Sequence, residues 1–294
     1  MMGRAAKASV LVASILIVIK SIAFVLTGSI ALLGSLVDSI LDLAASFINF
    51  IAIKASLEPP DSDHRFGHGK AEAIAGLAQS SIIFGSSIFI LFESASRIFT
   101  PHVVEATNIG IIVSVIAIVL TFLLVLYQKH VVKETGSVAI EADSLHYTGD
   151  LLLNAAVILA LFLVNIEGFA LSDGLIGIGI ALYIAWTAVG IARSSIDMLM
   201  DKEFEKAERE EIFNLVMGNA DVKGMHDLKT RRSGLQSFIQ MHIELEPKMT
   251  LYDAHMIADE VEATVGEAFG NAEILIHLDP LGLETPPPPH TELE

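Results

Sequence analysis

The sequence predicts an all-α membrane domain with six transmembrane helices, followed by a small cytoplasmic α+β domain. Hydrophobic residues make up 53% of the 294 residues, and the mean hydropathy is +0.61, as in membrane rather than soluble proteins. Residues 201–294 differ, because they carry 20 Asp and Glu against 8 Lys and Arg. We therefore expect a membrane domain with six spans over residues 1–200 and a cytoplasmic domain over residues 201–283. A Pro-rich disordered tail is expected over residues 284–294.

Six apolar windows are each about 20 residues long, which is enough to cross the hydrocarbon core of a bilayer. They lie near residues 8–27, 31–53, 73–96, 108–128, 138–164 and 171–196. Lys and Arg are concentrated before the first window and in the loops after the second and fourth windows. The loops between them carry almost none. The six windows predict an integral multi-pass membrane protein. By the positive-inside rule, the asymmetry of Lys and Arg predicts that both termini lie in the cytoplasm.

The second domain shows the element order αββαβ. The predicted elements cover residues 204–217, 222–232, 238–246, 251–269 and 272–279. Ser233 and Gly234 form a predicted turn between the first two strands, while Thr250 and Gly270 are typical helix-capping residues. This order favours a small sheet with helices on one face. The net charge of −12 in this region argues against nucleic acid as a partner.

Two pairs of polar residues interrupt apolar windows. Asp38 and Asp42 lie in the second window, and His146 and Asp150 lie in the fifth. Each pair has i, i+4 spacing and so shares one helix face. Because each charged residue near the bilayer centre costs about 2.5–3.5 kcal/mol on insertion scales, these groups indicate a metal or proton site in the membrane.

The two pairs lie at a similar depth when the rise of a helix is counted from the cytoplasmic ends of their spans. Three carboxylates and one imidazole make a four-ligand set that suits a tetrahedral divalent transition metal such as Zn²⁺. Mg²⁺ and Ca²⁺ prefer six or more oxygens. A buried Asp–His hydrogen-bonded pair without metal is the alternative interpretation.

Two further charged residues lie within apolar windows. Lys20 lies within the first window, and we expect it to extend to the outer interface without a functional role. Asp143 lies three residues before His146, and we interpret it as a charge in a cytoplasmic vestibule rather than a ligand. The chain has no cysteine, which excludes disulfides and thiolate metal sites.

The patterns Asp38-Ser-Ile-Leu-Asp42 and His146-Tyr-Thr-Gly-Asp150 resemble the transport site of the cation diffusion facilitator family. The six spans and the αββαβ domain, which is metallochaperone-like, also resemble that family. The loop over residues 61–70 is similar to that of bacterial members that export zinc and iron. The resemblance implies a homodimer that exchanges metal for protons by alternating access, in the inner membrane if the source is bacterial.

The resemblance also implies two metal sites outside the membrane, so that zinc would be both transported and structural. One consists of Asp61, His64 and His68 in the second cytoplasmic loop, for which a solvated loop is the alternative. The other is a binuclear site at the dimer interface of the cytoplasmic domain, for which scattered surface histidines are the alternative. Its predicted residues are His226, His242, His277 and Asp279 on strands and His255 on the last helix.

Several activities are disfavoured by the sequence. The His-Glu-x-x-His motif of a metalloprotease and a full phosphate-binding loop are both missing, so we expect no enzyme. We predict a secondary transporter with His146 as the proton carrier, because imidazole titrates near neutrality, and coupled carboxylates are the alternative carriers that could share this role. A metal-gated channel or a membrane metal sensor remains the alternative, and the choice among Zn²⁺, Fe²⁺, Cd²⁺ and Mn²⁺ stays open.

Overall fold

The computed structural model describes residues 1–28, 30–99, 108–163, 170–270 and 272–282 of the chain. These residues form two compact units, the first ending at Ile196 and the second beginning at Asp197. The sequence places the change of domain slightly later, after residue 200. The predicted tail over 284–294 lies outside the described residues.

Six long helices precede residue 200 in the described ranges. They are α1 (Met2–Thr27), α2 (Ile30–Ser56), α3 (Lys70–Phe99), α4 (Asn108–Thr135), α5 (Val138–Leu163) and α6 (Ala170–Leu199). Most extend beyond their predicted windows, because the windows mark only the apolar part of each helix. The polar stretch from Gln128 to Thr135, for example, continues α4.

Five of the six helices are long and apolar enough to cross a membrane when the described residues are considered: α1, α2, α3, α4 and α6. Helix α5 carries Glu141, Asp143 and Asp150 in its first half. It packs against α1, α2, α3 and α4, and the residues from Val138 to Ile140 are at most 5% exposed. Asp143 is completely buried, whereas Glu141 and Asp150 are partly exposed.

Two glycines allow neighbouring helices to approach closely. A Cβ added at Gly177 would lie 2.9 Å from the Cβ of Ser94 in α3. A Cβ added at Gly76 would lie 3.3 Å from the carbonyl oxygen of Val138 in α5. Small residues in these spans therefore serve close helix packing, which is the main source of cohesion between helices in lipid.

The second unit contains α7 (Lys206–Met217), β1 (Gly224–Ser233), β2 (Gln236–Leu245), α8 (Leu251–Phe269) and β3 (Ala272–Pro280). Strands β1 and β2 are antiparallel, β2 and β3 are parallel, and β2 is central. Gly234 has a φ of 60° at the predicted turn. The Thr250 hydroxyl accepts a hydrogen bond from the Asp253 backbone N–H at 3.2 Å, as expected of an N-cap.

The core of the second unit lies on one face of its sheet. Ile239, Met241, Ile243 and Leu245 of β2 alternate along the strand, and each is at most 3% exposed. They pack with Ile212 and Val216 of α7 and with Ile257, Val261 and Val265 of α8. Both helices therefore cover the same face, and the αββαβ fold predicted from the sequence is confirmed.

Candidate metal centre

An Asp–His–Asp cluster lies between α2 and α5. His146 Nε2 is 2.9 Å from Asp42 Oδ1 and 3.8 Å from Asp150 Oδ2. One ligand atom from each residue lies within 4.8 Å of the other two. A tetrahedral zinc ion with bonds of about 2.0–2.1 Å places its ligand atoms roughly 3.3 Å apart. Small side-chain movements would therefore suffice for all three residues to contact one ion.

A polar seam aligns α2 with α5. Asp42, Ser46 and Asn49 follow the i, i+4, i+7 spacing of one helix face. The hydroxyls of Ser46 and Tyr147 share a hydrogen bond of 2.8 Å. Asn49 Nδ2 donates to the carbonyl oxygen of Ala139 at 3.3 Å. These contacts fix the rotation of α2 about its axis and place Asp42 opposite His146.

The cluster borders a cavity of about 480 Å³ that is lined by residues from all six long helices. Asp38, the fourth predicted ligand, lines the same cavity one helical turn from Asp42. Its side chain is exposed and does not belong to the three-residue cluster. The structure thus brings together Asp42, His146 and Asp150 and places Asp38 on the wall beside them.

Lys20 of α1 also lines this cavity. Its Nζ donates hydrogen bonds to the carbonyl oxygen of Ser35 at 3.0 Å and to Ser39 Oγ at 2.6 Å. The expectation that Lys20 extends to the outer interface is wrong, because its ammonium group is bound by α2 beside the candidate ligands. Lys20 lies seven residues before the end of α1 at Thr27, which is about 10 Å along the axis. This distance from the end of the helix is the feature of the sequence that indicates an interior position for Lys20 instead of one at the membrane interface.

Asp143 forms a buried polar cluster that joins four helices. Its carboxylate accepts hydrogen bonds from Ser9 Oγ of α1 at 2.6 Å, Gln128 Nε2 of α4 at 2.7 Å and Gln79 Nε2 of α3 at 3.2 Å. Asp143 is 0% exposed. Its interpretation as a vestibule charge is therefore wrong. The helix period places Asp143 near the face of His146, but it does not reveal that other helices enclose it.

A second cluster lies in the loop between α2 and α3. His64 Nδ1 is 3.4 Å from Asp61 Oδ1, and His68 Nε2 is 3.3 Å from Asp61 Oδ2. Asp61 also accepts backbone N–H bonds from Asp63 at 2.8 Å and from His64 at 2.6 Å. These bonds hold the pKa of the Asp61 carboxyl below its ordinary value. An ionised carboxylate thus faces two imidazoles, which is a donor set that fits zinc.

A third cluster lies on the sheet face opposite the core. His226, His242 and His277 are aligned across β1, β2 and β3 by the strand register. Asp279 Oδ2 is 2.9 Å from His242 Nδ1 and 3.3 Å from His226 Nε2. His226, His242 and Asp279 have ligand atoms within 4.8 Å of one another. Their two imidazoles and one carboxylate also fit zinc.

Two predicted residues of the third cluster occupy different positions. His277 adjoins it, with Nε2 3.4 Å from Asp279 Oδ1 and its ring centroid 4.5 Å from that of His242. His255 lies on the exposed side of α8, where Nδ1 is 3.5 Å from Asp259 Oδ1. The structure therefore places His277 at the edge of the cluster and leaves His255 outside it among the described residues.

Sequence reasoning missed Asp227, which also approaches the third cluster. The register of β1 and β2 shifts between His226 and Lys229, and Asp227 has a φ of 48°. Its Oδ2 lies 3.7 Å from His242 Nε2 and 2.9 Å from Lys229 Nζ. Strict strand alternation would direct His226 and Asp227 to opposite faces. The bulge brings both towards the same cluster.

Comparison with known families accounts for both units. The cation efflux transmembrane domain matches residues 6–200, and the cytoplasmic domain of cation efflux proteins matches residues 204–281. Among solved structures, the metal-bound C-terminal domain of the CzcD transporter from Thermotoga maritima is 29% identical. That match covers 27% of this chain and 93% of the other, with a TM-score of 0.26.

Relatives of the full length are also found. The cation-efflux pump FieF of Shewanella oneidensis is 46% identical over 95% of this chain and 94% of its own length. The proteins of the same name from Escherichia fergusonii and Cronobacter sakazakii are each 41% identical, over 95% of this chain and 93% of their own. These matches confirm the family resemblance and the prediction of a transporter rather than an enzyme. The chain therefore belongs to the cation efflux family, the cation diffusion facilitators, and is a multi-pass membrane transporter of metal cations.

Proposed function

We propose that this protein exports a divalent transition metal ion, principally zinc, in exchange for protons by alternating access. The observation that carries the proposal is the convergence of Asp42, His146 and Asp150 beside a cavity lined by all six long helices. A metal ion held there would lie between α2 and α5 at the wall of this cavity. Relatives named as cation-efflux pumps support export as the direction of transport.

The donor set supports a transition metal as the cargo. Two carboxylates and one imidazole nitrogen form the cluster, and Asp38 is the proposed fourth ligand, reaching the ion by a change of side-chain rotamer. Imidazole with carboxylate suits zinc, whereas sites for Mg²⁺ or Ca²⁺ use more oxygen ligands. Fe²⁺, Cd²⁺ and Mn²⁺ accept the same ligands, so the proposal includes them as secondary cargo.

Proton exchange follows from the chemistry of these ligands. Carboxylates and imidazole bind metal only when deprotonated, so metal binding releases protons and protonation releases metal. His146 contacts both carboxylates, and it is the proposed proton carrier because an imidazole can bind and release a proton in the physiological pH range. One site that holds either a metal ion or protons is the minimal unit of an antiporter.

We further propose a homodimer in the inner membrane of a bacterium, with both termini in the cytoplasm. The distribution of Lys and Arg among the loops supports the orientation. Structural zinc held by His226, His242 and Asp279, with His277 beside them, would link two cytoplasmic domains. His255 would contribute only by approaching from the second protomer. Bound zinc would offset part of the repulsion between two domains that each carry a net charge of −12.

The loop cluster is proposed as a further zinc site. Asp61, His64 and His68 lie outside the apolar part of α2 and α3, and Asp61 and His64 are exposed. Such a position suits capture of metal from the cytoplasm before it enters the membrane cavity. Because the site is open to solvent, we expect zinc to exchange there rapidly.

The proposal is tested by zinc transport in proteoliposomes. Asp42→Ala or Asp150→Ala should nearly abolish transport, because each removes a ligand that the cavity cannot replace. Glu58→Ala serves as the matched control, since Glu58 is an exposed acid just beyond α2, and it should transport like the wild type. Near wild-type zinc flux in both aspartate variants would contradict the assignment of the site. If the rate of zinc flux is the same with and without a proton gradient, the protein is a channel and not an antiporter.

A further inference from the structure

We propose that Lys20 sets the affinity of the membrane site for a divalent cation by acting as a fixed counter-charge. The inference rests on the proposed function of the site. Its observations are that Lys20 lines the cavity with Asp38, Asp42 and Asp150, and that its ammonium group is bound by Ser35 and Ser39.

The hydrogen bonds hold the ammonium group next to the ligand-bearing face of α2. Ser35, Ser39 and Asp42 follow helical spacing along that face, and Asp38 lies beside Ser39. Lys20 lines the same cavity as Asp38, Asp42 and Asp150, so its charge interacts with theirs across that cavity. Its charge is therefore applied to the site itself and not to the surface of the bilayer.

A protonated lysine influences the site by charge alone. It has three hydrogen-bond donors and no acceptor, so it cannot ligate a metal ion. Two of the donors are directed to Ser35 and Ser39. The lysine is thereby kept beside the carboxylates without blocking their oxygen atoms.

The charges that line the cavity then match one divalent ion. With Asp38, Asp42 and Asp150 ionised and His146 neutral, as metal ligation requires, the carboxylates carry three negative charges. Lys20 reduces the total to two, which one divalent cation neutralises. Without Lys20, the loaded site would keep a negative charge, bind its ion more tightly and attract a second cation.

This reasoning predicts a change in the kinetics of Lys20→Met that a loss of packing would not produce. Removing a unit charge from the lining of the cavity should tighten zinc binding roughly tenfold. The KM for zinc should therefore fall, and the maximal rate should fall with it because the ion leaves more slowly. Lys20→Arg preserves the charge and should restore the wild-type KM.

The experiment measures zinc transport by the full-length protein in proteoliposomes over a range of zinc concentrations. Lys7→Met is the matched control, because Lys7 is an exposed lysine of the same helix, and its KM should be unchanged. Lys20→Gln keeps a donor for Ser35 or Ser39 but loses the charge, so it should lower the KM even if Lys20→Met does not fold.

An unchanged or raised KM in folded Lys20→Gln would overturn the counter-charge role. So would a lowered KM in Lys20→Arg, since that variant retains the charge. Asp42→Ala is measured in parallel to separate the two hypotheses. If Asp42→Ala transports normally, the site itself is wrongly assigned. If Asp42→Ala is inactive while Lys20→Gln keeps the wild-type KM, only the role of Lys20 fails.

Discussion

Asp143 provides the sharpest test of how the membrane domain is held together. Its carboxylate accepts three hydrogen bonds from Ser9, Gln79 and Gln128, and it is completely buried. Asp143→Ala would remove an acceptor that donors on three other helices share. Gln79 Nε2 would lose its partner among the described residues, whereas Ser9 would keep its bond to the Ala5 carbonyl and Gln128 its bond to Ser9 Oγ. We therefore expect the variant to be less stable while the apolar packing around it is kept.

The loss of free energy of unfolding in Asp143→Ala follows from the number of hydrogen bonds removed. In water-soluble proteins, each unsatisfied buried donor costs about 1–3 kcal/mol. Hydrogen bonds between membrane helices average about 0.6 kcal/mol, because the unfolded chain in the membrane also finds partners. Three such bonds give a loss of at least about 2 kcal/mol. Asp143→Asn keeps an acceptor oxygen of the same shape and should lose about half as much.

The assay is unfolding of purified protein in lipid–detergent micelles by titration with sodium dodecyl sulfate, followed by helical circular dichroism. Glu141→Ala is the matched control, because Glu141 is an acid on the same helix with no hydrogen bond to its carboxylate in the described part of the chain. If Asp143→Ala is as stable as Glu141→Ala, the buried polar cluster does not hold the four helices together.

Three further predictions concern the metal sites and the packing. His146→Asp should lower zinc transport relative to Mn²⁺ transport, because ligation by oxygen alone favours the harder ion. It should also shift the pH optimum of transport, because the imidazole is lost. An unchanged metal ranking in a competition flux assay would refute the first expectation. Zinc should favour the dimer of a fragment that begins at residue 201, by about 2.7 kcal/mol at a hundredfold excess over Kd. His242→Ala with Asp279→Ala should remove that effect in sedimentation, whereas zinc-independent dimerisation of the wild type would contradict an interface site. Gly177→Val should lower the free energy of unfolding by about 1–3 kcal/mol, because the valine side chain would overlap Ser94. An unaltered unfolding midpoint would show that α3 and α6 can move apart with no loss of stability.

Local patterns in the sequence predicted most of the fold. Hydropathy located the long helices, and local patterns predicted the element order αββαβ of the second unit. Thr250 and Gly270 marked the ends of α8. These features depend on neighbours within a few residues, so a single sequence contains the information. The i, i+4 spacing of His146 and Asp150 likewise predicted that one face of α5 carries both.

The rest of the site depends on contacts between distant segments. Helical spacing places Lys20 and Asp143 on faces of their own helices, but it does not show which neighbouring helix each face meets. Lys20 meets Ser39 of α2, and Asp143 meets Gln128 of α4. The position of Asp227 depends on a β-bulge that interrupts strand alternation. Such features follow from tertiary packing and not from local periodicity.

The central claim is that one membrane site holds either a metal ion or protons. The most direct measurement records zinc and proton movements together in proteoliposomes, with one dye for each ion and an imposed zinc gradient. The account predicts that zinc entry drives protons in the opposite direction, that collapsing the proton gradient with an ionophore changes the zinc rate, and that Asp150→Ala loses both movements together. Zinc flux without proton countermovement in the wild-type protein would contradict it.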